Sequence, residues 1–203
     1  MWLPYSMFLS VAILTILPVV LGAKTSTCRE PSGMPNFNVM RFTGLWYEYS
    51  RNYNDFEDGC DCITTDISIV NATTITASTC CQKTQISNET QTCDIGISNI
   101  LANPEKKEAV FQYSRTGGKD GSTVSVVATD YENYAILNAC DRISEDEERG
   151  LVWVVTRRTE VNPLQITLID QVLRLANFDK NKIIKQKHGV DICKSNRPAL
   201  GSR

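Results

Sequence analysis

Eight short segments with strand character set the strongest limit on how this chain can fold: most show a period of two, and the sixth and eighth are nearly all β-branched or aromatic. They lie at about 44–53, 62–70, 74–82, 91–101, 108–115, 122–130, 133–140 and 150–158. Turn-forming residues separate them, and no helical pattern intervenes. Alternation with a period of two places one face of a strand against a core. Eight such strands at short spacing therefore predict an antiparallel barrel or sandwich.

The apolar period changes after the eighth segment. Pro163 suits a first helical turn, and the apolar residues that follow it recur at i, i+3 and i+4. This spacing predicts one amphipathic helix over about 163–176, packed on the outside of the sheet. Between the helix and Cys193, the tail carries four lysines. Such a basic run is usually a solvated surface, with a binding patch as the alternative.

The N-terminal segment indicates secretion. Residues 2–22 carry no charged side chain, and Gly22 and Ala23 provide small residues for cleavage. This composition predicts a signal peptide over 1–22, with cleavage near Gly22/Ala23, and a single domain over 23–203. An uncleaved membrane anchor is the alternative, because the segment is long enough to span a bilayer. We expect a secreted, extracellular protein with no stable membrane insertion after cleavage.

The cysteines and glycosylation motifs agree with an oxidising compartment. The chain has eight cysteines, an even number that indicates disulfides. Sequons at Asn71 and Asn88 lie between apolar runs, where a turn would expose them to glycosylation. Zinc binding is the competing interpretation of the cysteines within 60–62 and 80–81, but neither group has metal-ligand spacing. We therefore predict no metal site.

Charge and histidine content exclude several classes of function. The net charge of -2 and the pI near 5.5 exclude a broad electrostatic footprint for nucleic acid. The sequence has one histidine, His188, and it lies in the tail. This position argues against a His-ligated haem inside a barrel and against a nucleophile activated by histidine. We predict no cofactor and no enzymatic activity.

Three short motifs occur at particular places in this strand order. Gly44-Leu45-Trp46 opens the first predicted strand, Thr129-Asp130-Tyr131 ends the sixth, and Arg157 ends the eighth. In this order, before a C-terminal helix, they resemble the three signature regions of the lipocalin family. The resemblance covers about 28–193. It implies an all-β, eight-stranded antiparallel up-and-down barrel over about 42–158, with one C-terminal α-helix packed outside.

The resemblance assigns these motifs to maintaining the fold. Trp46 would plug the closed end of the barrel, and Arg157 would stack on its indole ring. A tight turn at Asp130 would lie at the same end. The residues expected to act structurally are Gly44, Trp46, Thr129, Asp130, Tyr131 and Arg157.

The disulfide pattern is predicted in two steps. The resemblance implies Cys28–Cys140 and Cys62–Cys193. Among the other four cysteines, strand parity favours Cys81–Cys93 and Cys60–Cys80. The swapped pairs, Cys60–Cys81 and Cys80–Cys93, stay open, and a vicinal Cys80–Cys81 bond is a third alternative.

An eight-stranded barrel leaves an interior that can hold one small ligand. Strand parity predicts the lining residues Ile63, Ile67, Ile69, Ile75, Ile95, Ile97, Phe111, Tyr113, Tyr134, Ile136 and Trp153. The resemblance implies binding and transport of a small hydrophobic ligand such as a fatty acid, retinoid, sterol or bilin. The alternative is a lipocalin-fold module that binds protein, such as a secreted protease or haemostasis inhibitor. A cell-surface receptor is a further partner that the sequence leaves unidentified.

Overall fold

The computed structural model describes residues 32–85, 88–100, 108–115, 122–142, 148–188 and 193. The expected signal peptide and Cys28 lie outside them. The elements are α1 (Val39–Phe42), β1 (Gly44–Asn52), β2 (Cys60–Asn71), β3 (Thr74–Gln85), β4 (Asn88–Ile100), β5 (Val110–Arg115), β6 (Ser122–Thr129), β7 (Tyr134–Arg142), β8 (Glu148–Thr156), α2 (Pro163–Leu175) and β9 (Ile183–Lys185), with a 3-10 turn over Lys180–Lys182. The predicted all-β fold with one C-terminal helix is confirmed.

The strands form one antiparallel sheet in which each strand from β1 to β8 pairs with the next one along the chain. β1 also pairs with β8, from Tyr47 opposite Thr156 to Arg51 opposite Trp153. The two ends of the eight-strand sheet are thereby joined through β1, which gives the barrel its interior.

The C-terminal tail completes the barrel wall beside residues 50–52 of β1. β1 pairs with β2 over residues 44–47, whereas residues 50–52 pair with β9. After β9, the Gln186 N–H donates to the carbonyl oxygen of Tyr49 at 2.9 Å, and the Cys62 N–H donates to that of Lys187 at 3.4 Å. The Cys62–Cys193 disulfide, the pair that the resemblance implies, ties the tail to β2.

Helix α2 covers the outer face of β7 and β8. Asn162 caps it, because the Asn162 side chain accepts the Gln165 N–H while the Gln165 side chain accepts the Asn162 N–H. Ile169 and Leu173 are its buried residues. They pack in one cluster with outward-facing residues of the two strands, which are Tyr134, Ile136, Val152 and Val154. In the described part of the chain, no helix is long and apolar enough to cross a membrane.

A bulge in β2 overturns one predicted disulfide. Between the pairs Asp61–Gln82 and Thr64–Cys80, β2 has two residues where β3 has only Cys81. Cys62, one of the two, has a φ of 57°. Because an extra residue reverses the alternation of faces, Cys60 lies on the inner face and is bonded to Cys81. The predicted Cys60–Cys80 bond is therefore wrong.

The register between β3 and β4 overturns a second predicted disulfide, Cys81–Cys93. Pairing begins at Gln85 opposite Asn88, which sets Cys80, rather than Cys81, opposite Cys93. A shift of one residue exchanges the two faces of a strand. Cys81 is bonded to Cys60, so the predicted Cys81–Cys93 bond is wrong. Cys80 and Cys140 are also disulfide-bonded. We expect Cys80 to pair with Cys93, while Cys28–Cys140 stays a prediction because Cys28 lies outside the described residues.

Candidate ligand-binding cavity

The closed end of the barrel is built around Trp46. This side chain is buried among Phe42, Ile67, Phe111 and Val126. Its indole N–H donates to the carbonyl oxygen of Phe42 at 2.9 Å. The lead-in to β1 thus seals the floor of the barrel with apolar contacts and one satisfied indole group.

Arg157 holds the segments at this end together. Its guanidinium carbon lies 3.6 Å from the centre of the Trp46 ring. Four hydrogen bonds of 2.9–3.1 Å run from the guanidinium to main-chain carbonyl oxygens. The accepting residues are Arg41, Thr43, Leu45 and Tyr131. Its charge is therefore compensated by backbone dipoles and the indole ring, outside the cavity.

The turn between β6 and β7 is organised by Asp130. The Asp130 carboxylate accepts the backbone N–H groups of Glu132, Asn133 and Tyr134 and the side-chain amide of Asn133. Partial burial disfavours the ionised form, but these hydrogen bonds outweigh it and lower the pKa of Asp130. Tyr131 has a φ of 69° and accepts the Asn38 N–H through its hydroxyl oxygen. This turn is a structural device at the closed end.

Above Trp46 the barrel encloses a cavity of about 460 Å³, a size typical of small-molecule sites. Its walls come from the inner faces of β1, β2, β3, β5, β6, β7 and β8. Most of the lining is aliphatic or aromatic, with hydroxyl groups at Thr65, Thr79, Tyr113 and Ser122. Such a surface can bury an apolar molecule and offer a few polar contacts.

The structure brings six of the eleven predicted lining residues to this cavity: Ile63, Ile67, Ile75, Phe111, Tyr113 and Trp153. The side chains of Ile95 and Ile97 lie outside the described part of the chain. In register, these two residues lie opposite Ser78 and Thr76, neither of which lines the cavity.

Three predicted lining residues are wrong. Tyr134 and Ile136 lie on the outer face of β7 beneath α2, and the residues of β7 that line the cavity are Leu137, Ala139 and Cys140. Ile69 is 37% exposed. The pairing of β1 with β2 ends at Gly44 opposite Ile67, so among the described strands Ile69 has a neighbour only in β3.

The opposite end of the cavity carries a buried charged network that the sequence reading missed. Glu48, Arg51 and Glu57 are 4%, 5% and 9% exposed. Arg51 Nη1 lies 2.8 Å from Glu48 Oε1, and Arg51 Nε lies 3.3 Å from Glu57 Oε2. The Trp153 indole N–H donates to Glu57 Oε2 at 3.0 Å, and the Asn54 amide contacts the same oxygen. The loop between β1 and β2 is thereby fixed over the cavity.

A sequence signal for part of this network exists. Glu48 follows Trp46 by two residues, so regular alternation places both side chains on the inner face of β1. Burial raises the pKa of Glu48 well above its ordinary value, the Glu57 carboxyl group raises it further, and Arg51 acts in the opposite direction. Both Glu48 and Glu57 line the cavity.

His188 lies on the outer side of the wall. Its Nε2 contacts the carbonyl oxygen of Glu48, and its ring lies edge-on to Tyr47 at 5.9 Å. Burial lowers the pKa of His188, against the opposing effects of the Glu48 carbonyl and Asp61. Its contacts are those of a residue that secures the tail. Among the described residues, no group of three or more His, Cys, Asp and Glu could hold a metal ion.

Comparison with known proteins decides the family. The sequence profile of the Lipocalin / cytosolic fatty-acid binding protein family matches residues 43–189, from the strand that opens the barrel to the tail. The chain belongs to this family. The lipocalin signatures at Trp46, Asp130 and Arg157 are thus the three segments that meet at the closed end.

Relatives and solved structures agree with this assignment. The lipocalin is 23% identical over 194 residues to the Lazarillo protein of Schistocerca americana, covering 94% of this chain and 89% of that protein. It is 26% identical over 161 residues to apolipoprotein D of Oryctolagus cuniculus, covering 77% and 79%. Insecticyanin from the tobacco hornworm Manduca sexta superposes with a TM-score of 0.70 at 18% identity, covering 84% of this chain and 91% of that one. At this identity the structural likeness shows the fold.

Proposed function

We propose that this lipocalin is a secreted carrier that binds a small hydrophobic ligand, such as a fatty acid, retinoid, sterol or bilin, inside its barrel. The observation that carries the proposal is the cavity of about 460 Å³ with mostly apolar walls above a sealed floor. Burial of apolar surface in such a cavity stabilises a complex by about 25 cal/mol per Å². Binding and release need no chemical step.

The disulfides support secretion, because such bonds persist in oxidising compartments. Binding without catalysis fits the placement of reactive groups. Cys60, Cys81 and Cys140 line the cavity but are oxidised, so none offers a thiol nucleophile. His188 contacts the outer wall.

Tryptophan fluorescence provides a direct test, because Trp46 lies on the cavity floor and Trp153 at its opposite end. We expect retinol and fatty acids to quench the emission of the mature, oxidised protein saturably, with one molecule bound per chain. Ala77→Phe, which places a larger side chain into the cavity, should weaken binding. Ser78→Phe is the matched control, since Ser78 is the next residue of β3 and does not line the cavity.

The absence of a fluorescence change with every apolar ligand would contradict the proposal and favour a protein-binding role. Equal binding by the Ala77→Phe and Ser78→Phe variants would place the ligand outside the cavity. Extraction of ligand from protein purified from its own source would identify the natural compound.

A further inference from the structure

The polar part of the cavity lining is acidic. Glu48 and Glu57 contribute two carboxyl groups at the end opposite Trp46. Among the described residues that line the cavity, the other polar side chains carry hydroxyl groups or the indole N–H groups of Trp46 and Trp153, which donate to Phe42 and Glu57. None of the described lining residues is lysine, arginine or histidine. A ligand that enters with a polar end therefore meets acceptors and acids in this part of the wall.

The network contains two acidic groups and one basic group. Within the described part of the chain, Arg51 is the one cation in contact with the two carboxyl groups, at 2.8 Å from Glu48 and 3.3 Å from Glu57. The neutral side chains of Asn54 and Trp153 fill other positions around Glu57. With both carboxyl groups ionised, the network holds one more negative charge than positive charge while it is buried from water. Burial of unpaired charge is unfavourable.

We propose that the cavity selects an apolar molecule whose polar end is a cationic amine, and that it discriminates against a carboxylate on the same chain. This inference rests on the proposed function, because it names the chemical class of the ligand for the same cavity. An ammonium group would supply the cation that the network lacks and donate hydrogen bonds to Glu48 and Glu57. A neutral hydroxyl group could donate one hydrogen bond without compensating the charge.

A carboxylate ligand would add a third acid to the network. Like charges at close range raise one another's pKa and oppose joint burial. The single positive charge of Arg51 is already shared between both glutamates, so it would have to compensate a third carboxylate as well. The pKa of Glu48, already raised by burial and by Glu57, agrees with a site that has an excess of acid.

Three ligands with the same chain isolate the effect of the head group: dodecylamine, dodecanol and laurate, each titrated below its micelle concentration into mature, oxidised protein. Tryptophan emission and calorimetry give the dissociation constants. We expect dodecylamine to bind at least about tenfold more tightly than laurate at neutral pH, with dodecanol between them, since charge interactions are strong at a buried site.

Glu57→Gln tests whether the network causes the ranking. This variant leaves one carboxyl group facing one guanidinium, so the ratio of laurate to dodecylamine dissociation constants should fall at least about fivefold. Glu48→Gln is the second variant if the first unfolds at lower temperature. Asp58→Asn is the matched control, because it removes the same charge from the same loop at an exposed residue outside the cavity. Its ratio should equal that of the wild type.

Laurate binding as tightly as the amine, or an unchanged ratio in Glu57→Gln and Glu48→Gln, would overturn the inference while leaving a hydrophobic carrier intact. An equal loss of preference in Asp58→Asn would also overturn it, since general surface charge would then explain the ranking. Failure of all three compounds to bind, when retinol binds, would overturn this inference alone. Failure of retinol as well as all three compounds would overturn the proposed function and this inference with it.

Discussion

Replacement of Arg157 by alanine tests how the closed end is held together. The guanidinium contacts segments that are far apart in the sequence: the lead-in and start of β1, the turn after β6, and the Trp46 ring. Arg157→Ala removes all of these contacts at once. It leaves four carbonyl oxygens to find other donors.

The expected loss can be worked from these contacts. A hydrogen bond contributes ~0.5–1.5 kcal/mol net, so four contribute ~2–6 kcal/mol. The contact with the Trp46 ring adds about 0.5–2 kcal/mol. Because the side chain is only partly buried, water can replace some donors. We therefore expect a net loss of about 3–4 kcal/mol in the free energy of unfolding, which is large for one substitution. For a chain of this size it corresponds to a fall of roughly 6–16 °C in Tm.

Thermal unfolding of the mature, oxidised protein, followed by circular dichroism, gives the Tm directly. Arg158→Ala is the matched control, because it removes the same charge from the next residue, whose side chain is exposed. We expect that control to change stability by less than about 0.5 kcal/mol. If Arg157→Ala and Arg158→Ala melted at the same temperature, the assignment of Arg157 as the residue that joins the closed end would be refuted.

Four further outcomes follow from the same structure. Asp130→Asn should lower Tm at neutral pH, and the difference from the wild type should shrink as the pH falls below the ordinary carboxyl value of 3.8, because stability from a lowered pKa is lost on protonation. Because the pKa of Glu48 is raised, the wild type should lose stability as the pH rises from 4.5 through the pKa of the folded state. Glu48→Gln should reduce this dependence of Tm on pH, which melting curves over a pH series can detect. Peptide mapping without reduction should recover a Cys28–Cys140 peptide, and a different partner for Cys28 would contradict the pairing implied by the family. Glycosidase treatment of protein from a eukaryotic secretory host should release glycan from both sequons, and an unchanged mass would count against their exposure.

The strand order, the helix and the closed-end motifs could be predicted because each has a local signal. Gly44, Trp46 and Arg157 occur at fixed places relative to the strands, and the helix after Pro163 has its own period. The lining of β7 could not be predicted in the same way. Its residues are apolar on both faces, because α2 covers the outer face. The alternation of residues therefore cannot show which face of β7 points into the barrel.

The disulfide errors have a different cause, since they depend on single-residue events. The bulge at Cys62 and the pairing of Gln85 with Asn88 each change a register by one residue. The alternation of residues along a strand does not reveal such a shift in register, although the shift exchanges the inner and outer faces of that strand. Cys60 and Cys81 therefore face each other for a reason that only the three-dimensional pairing reveals.

Buried charged groups have different partners at the two ends of the barrel. At the closed end, Arg157 is compensated by carbonyl oxygens and an indole ring that belong to the protein, and nothing further is needed to satisfy it. At the other end, two glutamates share one arginine and line the cavity. Natural folds depart from local consistency mainly at functional sites. The second carboxyl group, which has no cation of its own beside the ligand cavity, is therefore the part of the network that the proposed amine ligand would complete.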